Sequence, residues 1–238
     1  MSSIQAFVGI DAGTTGCTVM IFDQHGNRLG EGYQEYPCTS PRAGWIEQDV
    51  DDVWRGICAA SKQAVAAANL PPEAYKSVGF SSQRGTFILL DEEKNPLAPS
   101  LVWNDGRALK YQEIFAETIS AEDYQTHTGM QLSPLWSAAK FAWLRDNEPE
   151  LFNKTRWFAN GQEYFLFKMG ADEWATDPAS LTLNGMLDIE KLDWSDQILE
   201  LCGVTRDKLP PVGVPTGKAG VVSAAAAFAT GIPEGTPL

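Results

Sequence analysis

The residues best suited to chemistry open the chain. Positions 7–23 read as two apolar strands joined by the turn Asp11-Ala12-Gly13-Thr14-Thr15. Gly13 lets the backbone bend tightly and approach an anion, Thr14 and Thr15 offer hydroxyl and N–H donors to phosphate oxygens, and Asp11 at a strand end suits a hydrated Mg²⁺. The set fits a nucleotide polyphosphate. The alternative is an ordinary hairpin in which Asp11 accepts from the turn's own N–H groups. Two further groups carry hydrogen-bonding chemistry. Gln83 and Arg84 directly follow an apolar run, where long polar side chains fan into a cleft and an arginine fork donates to adjacent hydroxyls; the alternative is a surface arginine paired with an acid. In Trp103-Asn104-Asp105-Gly106-Arg107 the indole offers an apolar face, and Asn104 and Asp105 offer hydroxyl partners. The alternative here is a helix cap at Asn104 or Asp105.

The elements that must position these groups follow from periodicity and punctuation. Segments 4–10, 18–23 and 28–36 read as three consecutive strands, with His25-Gly26-Asn27 as a turn. Residues 50–69 are Ala-rich with helical apolar spacing and are stopped by Pro71-Pro72. Strands at 77–81 and 87–91 flank Gln83-Arg84-Gly85, and 96–102 lead into Trp103–Arg107 at the start of another helix. The second half is more helical, at 137–147, 162–169, 195–202 and 224–230, with Gly203 as a C-terminal stop and Asp193 or Ser195 as a cap. Three strands followed by alternating helices and strands, with Asp-x-Gly-Thr-Thr in the first hairpin, is the pattern of one ribonuclease H-like lobe of the actin-like ATPases. This is an α/β fold, a mixed β-sheet with flanking helices.

Composition sets the bounds. With 238 residues, 44% hydrophobic and 11% aromatic, the chain can bury a sizeable core. Its 18 basic and 31 acidic residues leave a net charge of −13, which argues against nucleic acid or an anionic membrane as the main partner. Met1–Gln5 lacks the basic region of a secretory signal, and no apolar run reaches transmembrane length, so a cytoplasmic location is expected. Cys17, Cys38, Cys58 and Cys202 are widely spaced without C-x-x-C, which favours buried thiols over disulfides or zinc. His25 and His127 form no cluster, and the sequon at Asn153 has no secretory context. The loop 210–218 is not a Walker site, since only three residues separate Gly213 from Gly217 and Ala219 follows Lys218.

Six strings occurring in order resemble the FGGY carbohydrate kinases, which include xylulokinase and glycerol kinase: 9–15, 44–49, 81–85, 101–107, 175–177 and 192–195. The resemblance covers essentially the whole chain. It implies ATP-dependent transfer of the γ-phosphate to a sugar or polyol hydroxyl, with residues 1–238 as the N-terminal, sugar-binding domain and a C-terminal nucleotide-binding domain absent from this chain. Asp11 would hold Mg²⁺ through water, Gly13, Thr14 and Thr15 would meet the transferring phosphate, and Gln83, Arg84, Trp103, Asn104 and Asp105 would bind the sugar. The catalytic base, in a Gly-Asp-Gln-like motif, is expected beyond Leu238. ATP would be shared with the missing lobe, and the isolated chain is expected to be inactive and, with its lobe interface open, capable of homo-oligomerising. Trp45 and Glu47 read as structural, and Asp177 either joins the site or caps the segment at Pro178. Gly85 stands where glycerol kinase has Glu, and Leu135 where it has Tyr, which weighs against glycerol. The string 103–107 is closer to xylulokinase, although Arg84-Gly85 replace that enzyme's Met-His. A ketopentose or related polyol is the expected substrate class. Two other readings stay open: a non-catalytic sugar-binding or interaction module, and an actin-like filament subunit, which leaves Gln83-Arg84 and Trp103–Arg107 unexplained.

Overall fold

Alternation along β1 (Ala6–Ala12) buries Ala6, Val8, Ile10 and Ala12 and turns Phe7, Gly9 and Asp11 to the opposite face. The computed structural model describes residues 4–213 and 217–238. β1 pairs antiparallel with β2 (Gly16–Asp23), which pairs antiparallel with β3 (Arg28–Glu35). A two-residue strand, β4 (Glu47–Gln48), precedes α1 (Val50–Ala68), whose start is capped by Asp49 accepting from the Asp51 and Asp52 N–H groups. β5 (Tyr75–Ser82) then pairs parallel with β1, giving a mixed sheet in the order β3-β2-β1-β5.

Close approach of α1 to this sheet depends on two glycines. A Cβ on Gly30 would lie 2.3 Å from the Ala64 carbonyl oxygen, and one on Gly32 would lie 2.0 Å from that of Ala60. The helix backbone therefore rests directly on β3, and Val53, Ile57, Ala60 and Ala64 pack on the buried face with Val8, Ile10, Val19 and Ile21.

A second, antiparallel sheet has the order β4-β7-β6-β8, built from β4, β6 (Phe87–Leu90), β7 (Ser100–Leu101) and β8 (Trp157–Asn160). Between β7 and β8 lie α2 (Tyr111–Ala116), α3 (Ala121–Thr128), α4 (Ser137–Asn147) and α5 (Pro149–Lys154). α4 is buried on all sides from Ser137 to Leu144, and Phe141 packs 4.5 Å from Phe87 and 4.6 Å from Phe158 between ring centroids. After β8 come α6 (Gly161–Met169), α7 (Pro178–Leu181), the short pair β9 (Leu187–Asp188) and β10 (Asp193–Trp194), α8 (Asp196–Cys202) and α9 (Ala224–Thr230). The first sheet, α1, α6 and α9 enclose one core; the second sheet with α4 and α8 encloses another.

The α/β architecture expected from the pattern is present, and α4 and α9 have the bounds their sequences imply. α1 ends before Pro71 does any work, because Asn69 takes a left-handed conformation and its N–H returns to the Val65 carbonyl. No helix starts at Trp103; residues 103–107 form a turn and the next helix waits until Tyr111. α2, α3, α5 and β8 carry no periodicity strong enough to read. The cysteines divide: Cys17 and Cys202 are buried, but Cys38 is exposed. Of the loop 210–218, residues 214–216 lie outside the described residues, as do positions 1–3 of the segment read for a signal. Among the described residues no helix is long and apolar enough to cross a membrane. Gly32→Ala is expected to cost about 3 kcal/mol, as overpacking against backbone does, in urea unfolding followed by circular dichroism.

Candidate functional site

The Gly13–Gly16 turn closes through the Gly13 N–H to the Gly16 carbonyl at 3.0 Å. Gly13 is not left-handed; what it supplies to the tight bend is room, since a Cβ there would sit 3.3 Å from the Gly16 oxygen. The turn's carbonyls are all held from behind. Tyr36 Oη donates to the Gly13 oxygen at 2.8 Å, Gln48 Nε2 to that of Thr14 at 2.9 Å, and the Tyr36 N–H to that of Thr15 at 3.2 Å. Among the described residues no acceptor takes the Thr14 and Thr15 N–H groups. A turn with its carbonyls tied back and its donors free suits an anion.

Asp11 stands on the uncovered face of the first sheet, level with Thr18 on β2 and Ser81 on β5. Among the described residues no group of three acids, histidines or cysteines forms a cage. One exposed carboxylate flanked by hydroxyl residues fits a Mg²⁺ that keeps most of its waters and rides on phosphate oxygens, and does not fit a protein-caged ion.

Gln83 lies just past the end of β5, its N–H bonded to the Ala12 carbonyl at 2.9 Å, so the β1–β5 pairing sets it beside the turn. Arg84 is exposed; its Nη1 lies 3.4 Å from Thr182 Oγ1, and among the described residues it makes no ion pair. The surface-pair alternative for Arg84 thus finds no acid. Gly85 is left-handed (φ 73°), and a Cβ would meet the Leu183 oxygen at 3.1 Å and Trp103 Cβ at 3.3 Å, so this position cannot carry a side chain without strain.

Trp103 joins the two groups. Its indole N–H donates to Thr14 Oγ1 at 3.1 Å, its backbone N–H donates to Thr86 Oγ1 at 3.0 Å, and its carbonyl accepts from Lys140 Nζ at 2.7 Å. The ring remains 40% exposed, enough to offer a face to a ligand. Asn104 beside it is exposed.

Asp105 needs a correction. It is 0% exposed, and its carboxylate accepts from the Ile46 N–H at 2.6 Å, the Arg107 N–H at 2.9 Å, Arg107 Nε at 2.8 Å and Arg107 Nη2 at 3.0 Å. No oxygen is left for a sugar hydroxyl. Arg107 also bonds Glu47 at 2.7 Å and stacks 3.9 Å from the Trp45 ring. This carboxylate–guanidinium–carboxylate knot pins the 103–107 turn to the 44–47 segment, and Trp45 and Glu47 are structural as read. Asp177 likewise resolves as a cap, accepting from the Ala179 and Ser180 N–H groups at 2.8 and 3.0 Å.

Sequence reasoning missed Gln48, Thr86 and Lys140. Lys140 was the most visible of these, a lone cation in the all-apolar stretch of α4. Its Nζ is fully buried between the Trp103 and Leu135 carbonyls, and desolvation pushes its pKa from 10.5 down to about 7, opposed by Asp105 and reinforced by Arg107.

Comparison with known proteins gives the family and the fold. The profile of the FGGY family of carbohydrate kinases, N-terminal domain, matches residues 6–238. A glycerol kinase from Thermococcus onnurineus (strain NA1) is 32% identical over 209 residues, covering 86% of this chain and 42% of the relative. Two solved structures share the fold with TM-scores of 0.91 at 21% identity: a gluconate kinase from Lactobacillus acidophilus, covering 99% of this chain and 47% of that one, and a xylulose kinase from Rhodospirillum rubrum, covering 98% and 48%. The chain thus spans less than half the length of each of these three proteins.

Two outcomes test the local assignments. Asp105→Asn should cost about 3 kcal/mol, as breaking a buried ion pair does, whereas Asn104→Ala should leave denaturant stability within about 0.5 kcal/mol. For Lys140 the folded pKa lies below the unfolded one, so between pH 7 and 10.5 the unfolded chain binds more protons. Stability relative to Lys140→Met should therefore rise with pH across that window and stay level below pH 7, gaining about 2 kcal/mol by pH 9 in paired urea titrations.

Proposed function

Since the chain belongs to the FGGY family of carbohydrate kinases, we propose that it is the sugar-binding half of an ATP-dependent kinase whose substrate is a ketopentose or a related polyol. The observation that carries this reading is the 3.1 Å hydrogen bond from the Trp103 indole to the Thr14 hydroxyl, which sets the sugar-facing turn against the phosphate-facing one. Transfer needs the acceptor hydroxyl and the γ-phosphate in line, charge neutralisation at the phosphate and a base at the hydroxyl. In this reading the free Thr14 and Thr15 N–H groups and hydroxyls hold the phosphate. Asp11 anchors Mg²⁺ through water, the ion supplying charge neutralisation when bound. Arg84 and Gln83 hydrogen-bond the sugar, Asn104 reaches a hydroxyl, and the Trp103 ring covers a C–H face; Asp105 holds the turn and touches no substrate.

The base belongs to the proposal through family resemblance, in a segment following Leu238. Support comes from the Val78 N–H bond to the Pro237 carbonyl at 2.8 Å, which sets the last residues beside β5. Adenine recognition falls to the other lobe. Glycerol is the poorer fit: left-handed Gly85 excludes an acidic side chain at the position where glycerol kinase presents one. A cytoplasmic location is part of the same reading. Self-association, if it occurs, would run through the open sheet face at Phe7, Met20 and Phe22 or through Phe228, which is 89% exposed.

Residues 1–238 alone should release no ADP from MgATP with D-xylulose, xylitol or glycerol in a coupled assay. Saturation-transfer NMR should detect a bound ketopentose whose signal falls at least tenfold in Arg84→Ala. Turnover at ordinary kinase rates, about 1–100 per second, would overturn the shared-site reading; sugar binding indifferent to Arg84→Ala would overturn the sugar assignment.

A further inference from the structure

Gln48 has no place in the chemistry above, yet it lies 0% exposed between both halves of the site. Its Nε2 donates to the Thr14 carbonyl at 2.9 Å and approaches Cys38 Sγ at 3.4 Å, while its Oε1 accepts from Gln83 Nε2 at 2.7 Å. Gln83 Oε1 accepts in turn from Thr86 Oγ1 at 3.1 Å, and Thr86 Oγ1 accepts from the Trp103 N–H. The indole bond from Trp103 back to Thr14 closes the ring.

The two backbone ends leave no freedom in how these side chains are oriented. The Thr14 carbonyl only accepts and the Trp103 N–H only donates, so each amide and hydroxyl between them has one self-consistent orientation. The intact array leaves little room for solvent: the space lined by Gln48, Gln83, Thr86 and their apolar neighbours Ala12, Val50 and Ile88 measures ≈ 10 Å³, at the floor of the roughly 10–15 Å³ that one water requires.

We propose that Gln48 is a positioning residue, fixing the amide of Gln83 and the carbonyl side of the Thr14–Thr15 turn together so that the sugar-reading and phosphate-reading groups form one preset unit. Only the words sugar and phosphate rest on the function proposed above; the coupling itself stands on hydrogen bonds and is measured without any substrate.

Three variants separate positioning from general support. Gln48→Glu keeps the shape and, when ionised, faces the Thr14 carbonyl with an oxygen that cannot donate; when protonated, it restores the donor. Thr86→Val removes the link at the far end of the chain, and Thr86→Ser keeps it. Cys38 is the one titratable side chain hydrogen-bonded to Gln48 among the described residues, and partial desolvation of its thiol raises its pKa, so it stays neutral throughout. The readout is hydrogen exchange of the Trp103 indole proton in the folded chain by NMR, each variant compared with wild type at the same pH. At pH 7.5 Gln48→Glu and Thr86→Val should exchange at least tenfold faster than wild type, with Thr86→Ser within twofold. At pH 5.5 the Gln48→Glu ratio should fall below threefold while that of Thr86→Val persists. An unchanged rate in Gln48→Glu at pH 7.5, or an acceleration that does not depend on pH, overturns the proposal. If Gln48→Glu does not fold, the Thr86 pair decides: equal rates in Val and Ser overturn it, and acceleration in Val alone supports it.

Discussion

Everything at the candidate site depends on how Trp103 is held. Three hydrogen bonds from three separate stretches of chain fix it: Thr86 on its N–H, Lys140 on its carbonyl and Thr14 on its indole. A residue in an irregular segment would otherwise sample many conformations, and ordering it costs conformational entropy that these bonds offset. Lys140 is the least expected of the three. Burying an ammonium is unfavourable unless its protons are taken, and two carbonyls take two of the three in the buried stretch of α4.

The site lies at the seam of two cores. The Asp11–Thr15 turn belongs to the first sheet, whereas Thr86 immediately precedes β6 of the second. Residues 83–86 bridge them, and the left-handed bend at Gly85 makes so short a bridge possible. The Asp105–Arg107–Glu47 knot fastens the other side of the seam. Arg107 is 4% exposed and shared by two carboxylates, which in a chain of net charge −13 gives a local balance that overall composition does not disclose. Such a knot contributes orientation more than stability, because desolvating three charges cancels much of their attraction.

The parts legible in the sequence were those governed by local rules. The strands β1 and β2, the helices α1 and α4 and the Gly203 stop each follow from residues close in the chain. The turn at Asp11 through Thr15 was legible as a turn for the same reason, since its residues are contiguous. Asp105 was misread because one of its partners, the Ile46 N–H, lies 59 positions away and Arg107 is itself drawn to distant Glu47, and a carboxylate next to a glycine looks alike whether it faces a ligand or a buried arginine. Gln48 and Thr86 left no local trace; their importance arises only when β4, the end of β5 and the start of β6 meet. The short helices α2, α3 and α5 are held by tertiary packing on α4 and its neighbours, which no window of sequence contains.

The chain of bonds from Trp103 to Thr14 has a direction. In each link the donor faces the turn: the Trp103 N–H toward Thr86, the Thr86 hydroxyl toward Gln83, the Gln83 amide toward Gln48, and the Gln48 amide toward Thr14. Their dipoles therefore add head to tail, as peptide units do along a helix, and each link polarises the next in the dry interior. The positive end of this array arrives behind the turn at Thr14, whose own N–H groups are unclaimed. A segment with no helix start of its own thereby acquires the field of one, assembled from two side-chain stretches, at 48 and 83–86, and the backbone of a third at 103.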